Sequence, residues 1–298
     1  MCIRDSLDIM QDNKLSASNM WIDESDAETA TYGIYLYMRD ALKSVHDIYL
    51  CWGEFRNGLW GAGTNKTLSG MDQTQVRTST MSSSNAYADW SVMYKTVNQA
   101  NLILKHVPEM GISESVRNFS LGNAYFSRAW CYFWIARIWG DAPLALTGYE
   151  STAGDLYLPR APKAEIFARI ESDLTEAERY VTDNSDKAVA TPAAVQMLKA
   201  DYALWMYRVA GGGSSYLTMA EEAIETLNLS ASRLESDYAQ VFSSANKLNK
   251  EVIFAVHQAN GEAVNGPGYY LGWNSNYVEA AYQNNPVPIT GGNQWWWY

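Results

Sequence analysis

The chain has 298 residues, 47% of them hydrophobic, enough for one large core or two small ones. Its formal charge of −11 and pI near 4.8 exclude nucleic acid and anionic lipid as main partners, because both demand a basic face, and leave neutral ligands open. The 12 Trp and 20 Tyr against 7 Phe favour rings with a polar handle, which suit either a helical core rich in large residues or a half-wet binding surface.

No run of about 18 apolar residues is present, so no membrane-spanning helix is expected. The opening MCIRDS has no apolar leader, and the chain reads as a piece of a longer protein. Cys2, Cys51 and Cys131 form neither a C-x-x-C pair nor a His/Cys cluster, which argues against a zinc site. Cys131 is expected to be a small core residue. His46, His106 and His257 share no motif and read as structural. Phosphate loops, dinucleotide fingerprints, G-x-S-x-G elbows and H-E-x-x-H zinc motifs are all missing, and no cofactor is expected.

In chain order, 10–19 is a polar loop. Asp23–Lys43 is predicted helical, with Asp23, Glu24, Asp26 and Glu28 at the positive end of its dipole and Ala30, Ile34, Tyr37, Met38 and Ala41 as its buried stripe. From Val45 to Trp60 the pattern changes: Tyr49, Trp52, Phe55 and Trp60 alternate with Glu54, Arg56 and Asn57, and Gly58, Gly61 and Gly63 follow. Ser, Thr and Asn dominate 64–85 with no helical period, which reads as a long loop, either functional or solvated on aromatic anchors.

Asn85–Val107 is predicted as a helix on the stripe Trp90, Met93, Tyr94, Val97, Ala100, Asn101 and Leu104, with Pro108 ending it. Asn101 falls on the packed side and is expected to hold neighbouring backbone.

Gly122–Leu144 is the central helix. Tyr125, Ala129, Tyr132, Phe133 and Ala136 line one face, and Phe126, Trp130, Trp134 and Ile138 a second. A helix apolar on most sides is buried against several neighbours. Gly140 and Pro143 stop it. Arg128 and Arg137 need carboxylates or helix-end carbonyls as partners.

After a loop over 147–158, Pro162 opens a helix with Ile166, Ile170, Leu174, Ala177 and Val181 inward and a Glu165–Arg169 pair across one turn. Thr191 caps the next helix, with Pro192 at its first position and Ala194, Leu198, Tyr202, Trp205 and Met206 inward. Gly211–Gly213 ends it, and Tyr216, Ala220, Ala223, Ile224 and Leu227 mark another, giving paired helices of the tetratricopeptide type. Glu251–His257 reads as a short strand. Asn260–Tyr298 is rich in Gly, Asn, Pro, Tyr and Trp and carries no helical stripe.

Four segments together resemble the SusD/RagB family, the glycan-capturing lipoproteins of the Bacteroidetes outer membrane. In the central helix G-x-A-x-x-x-R-A-x-x-Y-F falls on Gly122, Ala124, Arg128, Ala129, Tyr132 and Phe133, and G-D-x-P-L on Gly140, Asp141, Pro143 and Leu144. Before it, W-x-x-x-Y-x-x-x-x-x-A-N falls on Trp90, Tyr94, Ala100 and Asn101. After it, Arg160, Pro162, Glu165, Asp173, Leu174 and Ala177 follow the family's R-x-P-x-x-E and D-L-x-x-A spacing. A strand after a Glu near 251 is a further family trait.

The resemblance covers roughly 30–260 and implies a mainly α fold with tetratricopeptide-like helix pairs, long aromatic-rich loops and few short strands. It implies one SusD-like domain over 1–298, with a helical core over 23–210 and the start of a loop-rich C-terminal region over 211–298. It also implies a non-enzymatic, outward-facing, lipid-anchored glycan-binding protein that partners a SusC-like TonB-dependent transporter, with no nucleic acid partner and contact with the membrane only through a lipid anchor outside this chain.

A flat ring suits the apolar face of a sugar, and amide and charged groups suit its hydroxyl rim. By position and type the candidate glycan contacts are Trp52, Arg56, Asn57 and Trp60 in the first loop region, and Tyr269, Tyr270 and Trp273 in the last. An all-helical carbohydrate hydrolase and a tetratricopeptide-like peptide-binding scaffold are the competing readings.

Overall fold

The computed structural model describes residues 20–53, 56, 72–151, 156–227, 229–230 and 233–257. The fold is mainly α. Its helices are α1 (Glu24–Gly53), α2 (Asp72–Thr78), α3 (Ser91–His106), α4 (Glu114–Trp139), α5 (Lys163–Tyr180), α6 (Pro192–Arg208), α7 (Ser214–Thr226) and the single turn α8 (Tyr238–Val241). Short strands β1 (Ala142–Pro143) and β2 (Arg160–Ala161) pair antiparallel, Ala142 opposite Ala161 and Pro143 opposite Arg160.

The chain divides into two compact units. The first holds Met1–Ile34, Val97–Ala136 and Asp141–Ala255, and the second Tyr35–Thr96, Arg137–Gly140 and Val256–Tyr298.

In the first unit α4 is the core element, as its sequence demands. It begins at Glu114, a full two turns before Gly122, because 114–121 extends the same register onto the start of α1: the Ser120 hydroxyl donates to the Ala27 carbonyl, and Glu24 accepts the Ser113 amide. Leu121, Ala124, Phe126, Ala129, Cys131, Tyr132, Phe133 and Ile135 are buried, while Trp130, Trp134 and Ile138 on the second face are half-buried. Gly140 takes φ 73° and closes the helix in the left-handed conformation.

Gly122 has a different role. A Cβ there would lie 2.6 Å from Val181 Cγ2 and 3.1 Å from the Val181 amide, so only glycine lets α4 pass this close to the end of α5. Around α4, Phe133 meets Tyr202 edge-on at 5.6 Å and Phe126 meets Phe254 at 5.3 Å. Thr191 caps α6 by accepting from the Ala194 amide, with Pro192 at the first position, as its sequence predicts. After Gly211, at φ 75°, α7 packs back along α6 as a tetratricopeptide-like pair burying Ala220 and Ala223, while Ile224 stays 40% exposed.

Several expectations change. Helix α1 runs ten residues past Lys43, to Gly53, because Ile48 and Cys51 continue the stripe of Ile34, Met38 and Ala41. Tyr35 is buried and Tyr37 exposed, the reverse of the predicted stripe. A short helix, α2, forms inside the predicted 64–85 loop, anchored by buried Val76. Helix α3 starts at Ser91, because Asn85 caps a 3-10 turn over Ala86–Ala88 first and Asp89 then accepts from the Ser91 amide and hydroxyl. Residues 251–257 form no strand; one backbone bond ties the Ala255 amide to the Lys187 carbonyl. Asp23 and Asp26 each accept the other's amide, an acidic helix start of the capping-box kind.

Candidate functional site

Residues from the motif segments meet inside the first unit. Arg128 donates to both carboxylate oxygens of Asp173, through Nε at 2.8 Å and Nη2 at 2.7 Å, and through Nη1 to Asn101 Oδ1 at 2.7 Å. The Asn101 amide in turn donates to the carbonyls of Ala145 and Thr147, at 3.0 and 3.3 Å, and the Tyr132 hydroxyl also reaches the Ala145 carbonyl. Burial pushes the Asp173 carboxyl up, opposed by Arg128 and then by Arg169.

Arg169 lies 3.6 Å from Asp173 instead of pairing with Glu165, because a carboxylate out of solvent attracts a guanidinium more strongly than one in it. The knot is closed to solvent, with side chains 6% and 0% exposed at Arg128 and Asp173, so it builds the scaffold and touches no ligand. The G-D-x-P-L and R-x-P segments join likewise: Asp141 accepts the Lys163 amide, and its carbonyl accepts Arg160 Nη1.

The candidate glycan contacts that the structure describes, Trp52 and Arg56, lie in the second unit. The Trp52 indole is half-buried against Ile48, Cys51, Val76 and Tyr87, and its N–H donates to the Tyr87 carbonyl at 2.8 Å. Trp139 meets Trp52 edge-on at 5.2 Å and Trp90 at 6.1 Å, and its own N–H donates to the Ala88 carbonyl at 3.1 Å. Two indoles thus pin the backbone of the 86–88 turn. Asn85 and Asp72 secure it from the other side: the Asn85 amide donates to the Asp72 carbonyl and to Gln75 Oε1, and Asp72 accepts the Ala86 amide.

Arg56 is exposed and donates to Ser79 Oγ at 3.3 Å. An exposed run of hydroxyls follows, with Thr78 bonded to Thr80 and Ser82 to Ser84. This part of the second unit therefore presents a guanidinium and a row of hydroxyls held on an indole-pinned frame. Asn57, Trp60, Tyr269, Tyr270 and Trp273 lie outside the described residues. Trp139 was not singled out in the sequence; as the last residue of α4 before Gly140, its position at the helix end is the signal that marks it.

Among the described residues no group of three or more His, Cys, Asp or Glu side chains could hold a metal ion, and no helix is long and apolar enough to cross a membrane. Cys51 and Cys131 are buried thiols that take part in no disulfide. His106 stacks on Trp21 at 4.9 Å and reaches Glu150 at 2.6 Å, a structural placement.

A SusD-like family model described as starch-binding and associating with the outer membrane matches residues 61–205, which hold the whole Asn101–Arg128–Asp173 knot. The chain is SusD-like in both sequence and fold. A SusD-like protein of Formosa agariphila is 27% identical over 176 residues, 59% of this chain and 34% of that one. The solved structure of NanU from B. fragilis superposes with a TM-score of 0.70 at 29% identity, covering 85% of this chain and 51% of that one. A surface glycan-binding protein A from Bacteroides thetaiotaomicron, solved in complex with laminarihexaose, shares the fold with a TM-score of 0.65 at 16% identity, covering 78% of this chain and 49% of that one. This SusD-like chain thus spans about a third of that Formosa relative and about half of those solved structures.

Proposed function

We propose that the full protein is an outward-facing, lipid-anchored glycan-binding protein of the outer membrane that captures an oligo- or polysaccharide without cleaving it and passes it to a SusC-like TonB-dependent transporter. The observation that carries this reading is the exposed Arg56 and its neighbouring hydroxyls, set on the Trp52–Trp139–Trp90 frame of a SusD-like chain. A guanidinium and hydroxyls suit the rim of a sugar, and indoles hold the backbone that presents them. In this reading Trp52, Arg56, Asn57, Trp60, Tyr269, Tyr270 and Trp273 form the contact set. Trp52, with its N–H already given to Tyr87, contributes a ring edge and a rigid anchor and no hydrogen bond to ligand. The description of the family as starch-binding supports a glycan, as does the laminarihexaose held by one protein of the same fold. A shallow polar face binds weakly, which suits a protein that releases its ligand onward.

The test is native affinity electrophoresis of the full-length protein in gels containing individual polysaccharides, starch and laminarin among them, with product analysis on the same samples. Retardation without new reducing ends supports capture. New reducing ends overturn it in favour of a hydrolase, and no retardation by any glycan turns the reading to a peptide ligand.

A further inference from the structure

The first unit contains a cavity that the glycan reading does not use. It holds about 290 Å³, and among its lining residues are Glu28 and Tyr32 of α1, Asn118 and Phe119 of α4, and Tyr180 and Asp183 at the end of α5. That volume is just under the usual size of ligand pockets, roughly 300–1,000 Å³, and admits one compact group.

Tyr32 and Phe119 form an aromatic corner, with centroids 5.7 Å apart and planes tilted by 53°. Glu28 sits one helical turn before Tyr32, on the same face of α1, and has no partner among the described residues. Asp183 accepts from the Ser185 hydroxyl and amide, which with the Asn184 amide hold its carboxyl below the usual range, and no ion pair to it is present among the described residues. The Asn118 carboxamide oxygen is shut off from solvent and has no partner among the described residues, which leaves it as an acceptor for a donor entering the cavity. The described lining carries no positive charge. Arg179 lies outside the lining, tied to Glu176 at 3.5 Å and seated over the Tyr180 ring at 4.9 Å, a guanidinium resting on an aromatic face beside the cavity.

We propose that this cavity binds the ammonium or guanidinium group of an organic cation carried on a short apolar stem, through the Tyr32–Phe119 corner and the carboxylates of Glu28 and Asp183. Anions meet two uncompensated carboxylates and are rejected. The stem lies along the rings, and the charge meets both the carboxylates and the negative faces of the rings. The inference stands apart from the glycan reading, since it uses none of that reading's residues.

The probes are n-butylamine and the blocked lysine N-acetyl-lysine-N-methylamide, with 1-butanol and N-acetyl-norleucine-N-methylamide as their uncharged twins. Each is titrated to about 10 mM into the full 298-residue chain and followed by ligand-observed NMR, a range in which weak small ligands are detected. Both charged probes are expected to bind and their twins not to. The lysine derivative binding more tightly than butylamine would identify a polypeptide side chain as the source of the cation, and the reverse a free amine. Glu28→Gln, a change at an exposed position of α1 that leaves the fold intact, is expected to weaken the charged probes about threefold, and Tyr32→Leu to weaken them further. Equal binding of charged and uncharged twins, binding of glucose in preference to the amines, unchanged affinity in Glu28→Gln, or no binding of either amine overturns the proposal. The polysaccharide gels are unaffected by all of these outcomes.

Discussion

Replacing Arg128 by methionine removes three hydrogen bonds at once and keeps most of the side-chain volume. Two went to Asp173 at 2.8 and 2.7 Å and one to Asn101 at 2.7 Å. Asp173, fully buried, is left with Arg169 at 3.6 Å as its remaining cation, and Asn101 Oδ1 loses its donor. Breaking one side of a buried ion pair costs about 3–5 kcal/mol, a large share of the roughly 5–15 kcal/mol that holds a domain together. The loss depends on pH with a definite sign. Burial already pushes the Asp173 carboxyl up, and without Arg128 the opposing pull weakens, so the folded variant holds a proton there more tightly than the unfolded chain does. The variant therefore regains stability as pH falls through that raised value, and is least stable above it. Removing both charges in Arg128→Met with Asp173→Leu leaves no orphan ion and is expected to lose less than the two single changes together, by about 2 kcal/mol or more. Urea unfolding of the four proteins at pH 8 and pH 5 measures this. A single-variant loss below about 1 kcal/mol, or additivity within about 0.5 kcal/mol, would refute the argument that the knot acts as one unit.

Other outcomes follow from single contacts. Gly122→Ala places a methyl 2.6 Å from Val181 Cγ2 and is expected to cost about 1–3 kcal/mol in urea unfolding, with no effect from the same change at exposed Gly111, where a Cβ meets nothing. Tyr202 and Tyr216 both donate to Glu171 Oε1 at 2.7 Å; burial and Glu171 push the Tyr202 hydroxyl up, and the Glu171 bond followed by burial does the same for Tyr216. The folded chain thus holds these protons more tightly than the unfolded one, so stability is full below pH of about 10 and falls as pH rises beyond it. Tyr202→Phe is expected to cost about 1.5 kcal/mol at neutral pH and to flatten that alkaline decline, read from melting curves at a series of pH values. Trp139→Phe keeps a ring beside Trp52 but removes the bond to Ala88, and is expected to lower stability by about 1–3 kcal/mol and loosen the 86–88 turn, measured by amide exchange. Arg56→Ala, at an exposed position, is expected to leave the melting temperature unchanged and to weaken retardation in the polysaccharide gels.

The helices that bury a regular stripe were legible in the sequence, and the places where it misled share a cause. Helices α3 to α7 follow the spacing of their apolar residues, and Thr191 and Gly140 mark boundaries by chemistry that local sequence carries. The end of α1 was hidden because Trp52 and its neighbours alternate aromatic and polar residues, while the contacts that hold them, with Val76 and Tyr87, come from later in the chain. Among its described side chains helix α2 buries Val76 alone, too little to print a period. The pairing of Arg169 was decided by which carboxylate had been taken out of water, a tertiary fact that an i, i+4 rule cannot see. At the candidate site, the exposure of Arg56 agrees with its place in a polar stretch, whereas the contribution of Trp139 depends on where the end of α4 arrives.

The Asn101–Arg128–Asp173 knot also bears on how this scaffold can be recombined. Its three side chains stand on α3, α4 and α5, and the carbonyls of Ala145 and Thr147 that it fixes stand on the segment between the last two. A chimera with a crossover anywhere between 101 and 173 would join halves of two knots whose distances were set separately, whereas crossovers near 79–84 or 209–213 leave the knot whole. Exchange of binding surfaces between such proteins should therefore succeed in blocks that keep 98–181 from one parent, with the exposed stretches on either side as the parts free to be traded.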